Sequence, residues 1–129
     1  MGHVALPQFE AMMAEVLLLR GELAAAEAHL TDAIEFARSH EDRYFDAEAR
    51  RLLASCRCQR GALSEASVGL RYAIEVARTQ GAAIFELRAA LTLAQLDPRE
   101  GRTATRSALD RIGEPEAWPE VAAAHDLLR

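Results

Sequence analysis

The stretch AIEFAR at residues 33–38 returns as AIEVAR at residues 73–78, forty positions later. Laying Gly21–Arg60 over Gly61–Glu100 at that offset extends the match in both directions. Identical pairs are Gly21/Gly61, Leu23/Leu63, Ala26/Ala66, Leu30/Leu70, Ala33/Ala73, Ile34/Ile74, Glu35/Glu75, Ala37/Ala77, Arg38/Arg78, Phe45/Phe85, Ala49/Ala89, Leu53/Leu93 and Ala54/Ala94. Within each copy the apolar matches recur every three or four residues, which marks one face of an amphipathic helix. A unit of this length, repeated with helical periodicity, indicates helical hairpins stacked into a solenoid.

Composition points the same way. Ala and Leu dominate the apolar residues and Glu and Arg the charged ones, the mixture that favours helices over strands. At 129 residues the chain is one domain's worth of polypeptide and can bury a core. The spacing predicts helices near Pro7–Arg20, Glu22–Ser39, Arg43–Arg60, Leu63–Gln80 and Ala83–Leu96. Gly21, Gly61 and Gly101 each read as the end of one helix and the turn into the next. Ser39–Arg43 and Gln80–Ala83 read as longer loops between units. Asp97-Pro98 reads as a stop to the fifth helix. After Gly101, Ala104, Ala108, Leu109 and Ile112 outline a short sixth helix whose phase slips by about one residue. Where the first copy has Ala26 and Leu30, the third has Arg106 and Asp110 at the same offset. A last helix, from about Pro119 to Leu128, follows the break at Gly113-Glu114-Pro115.

The net charge of −5 argues against a nucleic-acid surface, because Glu and Asp are interleaved with the arginines. The start, MGHVALP, lacks the basic and apolar regions of a signal peptide. Apolar runs such as Val16–Leu19 are far too short to span a bilayer. The expectation is a soluble, cytoplasmic protein that binds neither nucleic acid nor membrane. Cys56 and Cys58 are two apart on a helix, so their side chains diverge and reduced thiols are expected.

Catalytic chemistry is not expected. His3, His29, His40 and His125 show no metal-ligand spacing, and Cys56-x-Cys58 lacks a second ligand pair. Neither a metal nor a cofactor is expected. The serines form no G-x-S-x-G elbow. His40-Glu41-Asp42 reads as a polar loop. Met13 falls on a core position and Met12 is left to face a groove. Trp118 is expected to pack where the last helix docks, and Gly69 to permit a close helix contact.

The residues around each glycine carry a family resemblance. A small residue seven before the glycine (Ala14, Ala54, Ala94), with a large apolar residue before it (Met13, Leu53, Leu93), resembles helix A of a tetratricopeptide repeat. G-x-L-x-x-A-x-x-x-L-x-x-A-I, at Gly21–Ile34 and Gly61–Ile74, resembles its helix B. The period is longer than the usual one. Long-period versions are similar to the repeat regions of bacterial LuxR-type ATPase regulators and ATPase-linked nucleotide cyclases. The stretch AIEVARTQGAAIFELRAALTLAQL at 73–96 looks like those regions.

This resemblance implies an all-α fold, a right-handed α-α superhelix of about three hairpins plus a C-terminal capping helix. One domain would cover residues 1–129, with units at about 7–40, 43–80 and 83–112 and the cap at about 117–128. It further implies a protein–protein interaction module of a bacterial regulator, taking a peptide or partner helix in the concave groove lined by the A helices. The residues nominated for that groove are Gln8, Met12 and Glu15, then Glu48, Arg51 and Ser55, then Arg88, Thr92 and Gln95. The family's Lys/Asn/Arg carboxylate clamp has no counterpart here. Two further readings stay open. One is a small-ligand sensor with a pocket near Cys56, Cys58 and Glu48. The other is a detached fragment that self-associates, as a homodimer through its exposed N-terminal helix.

Overall fold

The computed structural model describes residues 7–39, 45–112 and 119–129, with side chains from residue 11 onward. The described residues are all-α. They form α1 (Pro7–Leu19), α2 (Leu23–Ser39), α3 (Asp46–Gln59), α4 (Leu63–Gln80), α5 (Ala83–Leu96), α6 (Pro98–Ile112) and α7 (Pro119–Leu128). His3, His40-Glu41-Asp42 and Trp118 lie outside the described residues.

Every helix packs on the next in sequence. The odd-numbered helices also pack on one another, α1 on α3, α3 on α5 and α5 on α7, whereas the backbones of α2, α4 and α6 stay apart. The buried apolar residues fall into successive clusters. One joins Ala11, Ala14 and Leu18 of α1 and Ala26, Leu30 and Ala33 of α2 to Ala49, Leu52, Leu53 and Cys56 of α3. The next joins Ala54 of α3 and Ala66, Leu70, Ala73 and Ile74 of α4 to Ala89, Ala90 and Leu93 of α5. A third gathers Leu87, Ala108, Val121 and Ala124 from α5, α6 and α7. The stripes Ala26-Leu30-Ala33-Ala37 and Ala66-Leu70-Ala73-Ala77 are fully buried, so the repeated residues are the packing surface. Alanine lets two helix backbones approach, and each leucine fills the gap between them.

Three turns share one chemistry. At Gly81, φ is +69°, its N–H donates to Arg78 O at 3.1 Å, and Ala82 N–H donates to Ala77 O at 2.9 Å. Gly21 and Gly61 repeat the pattern with the same positive φ. This paired closure satisfies carbonyls that the helix end would leave open, and only glycine takes the left-handed conformation without strain. The expected longer loop at Gln80–Ala83 is therefore a two-residue link, shorter by one residue than those at 20–22 and 60–62.

Gly101 does not turn the chain. It is buried inside α6, which begins at Pro98 only one residue after α5 ends. Asp97 closes one helix and opens the next. Its N–H donates to Leu93 O at 2.8 Å, and its carboxylate accepts the Glu100 N–H at 3.1 Å. Pro98 then occupies the first helical position, where its missing N–H costs nothing. The register of α6 follows from this shorter hairpin. Gly101, Thr105 and Ala108 are buried where Ala66, Leu70 and Ala73 are buried in α4, at an offset of thirty-five instead of forty. Arg106 and Asp110, which the forty-residue offset would place in the core, are exposed.

Two other expectations change. Met13 is 37% exposed, although its counterparts Leu53 and Leu93 are buried. Gly69 is not needed for close approach: an added Cβ would lie 3.8 Å from Ala54 Cβ, ordinary van der Waals contact. Gly69→Ala is accordingly expected to stabilise the protein by about 0.5–1 kcal/mol through reduced chain entropy. A thermal melt reads this as a rise of a few degrees, and a fall would mean that α3 and α4 need the gap.

Candidate functional site: the face of the odd-numbered helices

The row α1, α3, α5, α7 carries all of the nominated groove residues. On α3, Glu48 and Arg51 are one turn apart and form a two-pronged pair, Nε to Oε1 at 3.0 Å and Nη2 to Oε2 at 2.7 Å. Glu48 is only 7% exposed, so its charge is stabilised by partners more than by water. Arg88 of α5 reaches the same carboxylate, Nη1 to Oε2 at 3.4 Å. Its Nε donates to Glu120 Oε2 of α7 at 2.8 Å. Thr92 sits one turn further along α5, donating to Arg88 O at 3.0 Å and accepting from Arg51 Nη1 at 3.5 Å.

These contacts make a ladder across three helices that are distant in sequence. Burial pulls the Arg88 guanidinium toward a lower pKa. The Glu120 hydrogen bond and the charges of Glu48, Glu120 and Glu15 outweigh that, so the pKa is raised. Burial likewise pushes the Glu120 carboxyl up. Its own backbone N–H, the Arg88 hydrogen bond and the charges of Arg88 and Arg51 outweigh it, so the carboxyl lies below its usual range. Glu120 stands in the first turn of α7, where the helix dipole also favours a negative charge.

The structure therefore brings Glu48, Arg51, Arg88 and Thr92 together and locks them to one another. Glu15 is exposed at the α1 end of the row, and its charge is felt at Arg88. Ser55 is half-buried and Gln95 exposed. Met12 is 65% exposed, and its counterpart at the forty-residue offset is Leu52, which is buried, not Arg51. Gln8 lies on α1, and its side chain is outside those described. Sequence reasoning missed Glu120, for which Pro119-Glu120 at a helix start was the available signal.

It also missed a second ionic cluster behind the row. Glu86 is fully buried at the start of α5, and its Oε2 accepts from Arg78 of α4 at 3.2 Å and Arg111 of α6 at 2.9 Å. Its other oxygen, Oε1, has no hydrogen-bond partner among the described residues. Asp46, the counterpart of Glu86 at the forty-residue offset, is also buried and accepts from Arg50 Nε at 2.7 Å. Glu86 thus joins α5 to α4 and α6 through arginines, whereas the Asp46–Arg50 pair lies within α3, one turn apart.

Cys56, Cys58 and Glu48 are each occupied separately. Cys56 is buried between α3 and α2, donates through Sγ to Leu23 O at 3.3 Å, and has its thiol pKa pushed up by burial. Cys58 packs against the cluster around Leu70, and both cysteines are free thiols. Between α4 and α6 lies an open cleft of about 470 Å³, where Arg71 and Glu100 pair through two hydrogen bonds of 2.8 and 2.9 Å. Among the described residues, no group of three or more His, Cys, Asp or Glu is disposed to hold a metal ion. No described helix is long and apolar enough to cross a membrane. Comparison with protein-family models, curated proteins and solved structures finds no match in any of the three.

Proposed function

We propose that this chain is a non-catalytic protein–protein interaction module of the long-period tetratricopeptide type, a single domain of stacked hairpins. It works in the cytoplasm as a regulatory or scaffold part of a bacterial signalling or transcription regulator. The occupant of its odd-helix face is a polar peptide or partner helix. The observation that carries this reading is the ladder Glu48–Arg51–Arg88–Glu120. It holds α3, α5 and α7 as one rigid platform and leaves the polar side chains of Glu15, Ser55 and Gln95 along it. A preorganised surface lowers the ordering cost of binding. The alternation of helix contacts and the chain of separate apolar clusters support the stacked-hairpin architecture.

The test avoids the ladder itself, because reversing Arg51 would leave Glu48 buried without its main partner. A peptide-display selection against the full chain is expected to return binders that weaken at least about tenfold with Glu15→Arg or Ser55→Arg, a loss of about 1.4 kcal/mol. Val68→Glu, on an exposed position of α4 outside the row, should leave them unchanged. Binders indifferent to both arginine substitutions would overturn the reading.

A further inference from the structure

We infer that the outer face of α1, formed by Met12, Met13 and Val16 with Arg20 at its end, is a second docking surface. It takes an amphipathic partner helix with an Ala-x3-Leu-x2-Ala stripe. The inference rests on the stacked-hairpin reading but not on any occupant of the odd-helix face.

The repeat itself identifies what belongs there. Each odd helix has two apolar faces with different partners. On α3, Ala54 and Cys58 pack against α4 of the same hairpin. Ala49, Leu52, Leu53 and Cys56 pack backward against α1 and α2. On α5, Ala89 and Leu93 again face backward, onto Ala66, Leu70 and Ala73 of α4. At the forty-residue offset, α1 has the same division. Ala14 and Leu18, counterparts of Ala54 and Cys58, are buried against α2.

Met12, Met13 and Val16 are the counterparts of Leu52, Leu53 and Cys56, and they are 65%, 37% and 50% exposed. These are apolar side chains at backward-packing positions, and each is more than a third exposed. Methionine suits a surface that adapts to an incoming helix.

A polar contact fixes the chemistry of the occupant further. Arg60 of α3 reaches back to Glu27 of α2 at 2.7 Å. Its counterpart after α1 is Arg20, which is 70% exposed and, among the described residues, pairs locally with Glu22. The helix that covers α1 in the way α2 covers α3 therefore carries, like Ala26-Glu27, a glutamate next to the first alanine of its stripe. Neither α1 nor α7 of a second copy offers such a stripe, and those of α2 and α4 are already buried. The occupant is a partner helix with this pattern.

The probe is a synthetic peptide of residues 22–39, locked as a helix by a lactam bridge on its solvent side and titrated into the full chain. Saturable binding is expected, with amide shifts at residues 12, 13, 16 and 20. Val16→Glu in the protein should weaken it at least about tenfold, and Leu30→Glu in the peptide should abolish it. Val16 is half exposed, so that variant retains the fold, which circular dichroism verifies. Absence of binding, or binding indifferent to Val16→Glu, overturns the inference. So does a dimer in light scattering that Val16→Glu dissociates, since a second copy would then be the occupant. None of these results bears on the Glu15 and Ser55 test.

Discussion

Gly101→Val is expected to destabilise the protein by about 3 kcal/mol or more, lowering Tm on the order of 10 °C. The reason lies at the crossing of α5 and α6. Any Cβ built on Gly101 overlaps the backbone N and Cα of Ala94, so the obstacle is main chain and cannot rotate away. With only Asp97 between the two helices, α6 cannot shift without breaking the N–H bonds that Asp97 organises. Alanine should cost less than valine but still outweigh its helix-propensity gain of about 1 kcal/mol. Asparagine separates this packing role from a turn role. It tolerates positive φ and should be mild at Gly81, yet severe at Gly101. An unchanged melting temperature for Gly101→Val would mean that the helices are not in contact there.

The second large effect is expected from Leu70→Ala, about 3 kcal/mol, read as a shift of the denaturation midpoint at constant slope. Leu70 is fully buried where α4 meets α3 and α5, and the backbone on both sides is alanine-rich. Alanines already in contact have no side chain left to collapse into the space, so the cavity term should be near its full size. Val68, two residues earlier on the same helix and 63% exposed, provides the control. Val68→Ala should stay within about 0.5 kcal/mol. Equal effects at the two positions would mean that the repeated stripe is not the packing surface.

Much of this was legible before any coordinates. The stripes at 26, 30, 33 and 37 and at 66, 70, 73 and 77 are a local signal, because a helix puts every third or fourth residue on one side. The fold class, the helix-forming segments and the turns at Gly21 and Gly61 follow from it. The third unit was misread for a reason that is also local. Gly101 continues the 21, 61 series, and the forty-residue offset is so regular up to Leu93-Ala94 that a shortened hairpin is invisible in composition. Asp97-Pro98 reads correctly as a helix stop, but the same dipeptide, followed by Arg99-Glu100, is also the start of α6.

The candidate surface divides in the same way. Helical spacing placed Glu48, Arg51, Arg88 and Thr92 on one side of their helices, but whether they wait for a partner or bind one another was not encoded there. Arg88 lies forty residues from Glu48 and thirty-two from Glu120. Contacts over such separations depend on how far apart the helix axes stand and how they are rotated. Periodicity within one helix determined which residues share a face, since that needs only the pitch of the backbone. The tertiary structure alone decided which faces meet and that buried Glu86 finds arginines on two other helices. Those outcomes belong to the packing of alanine against alanine across helices, and no single helix carries them.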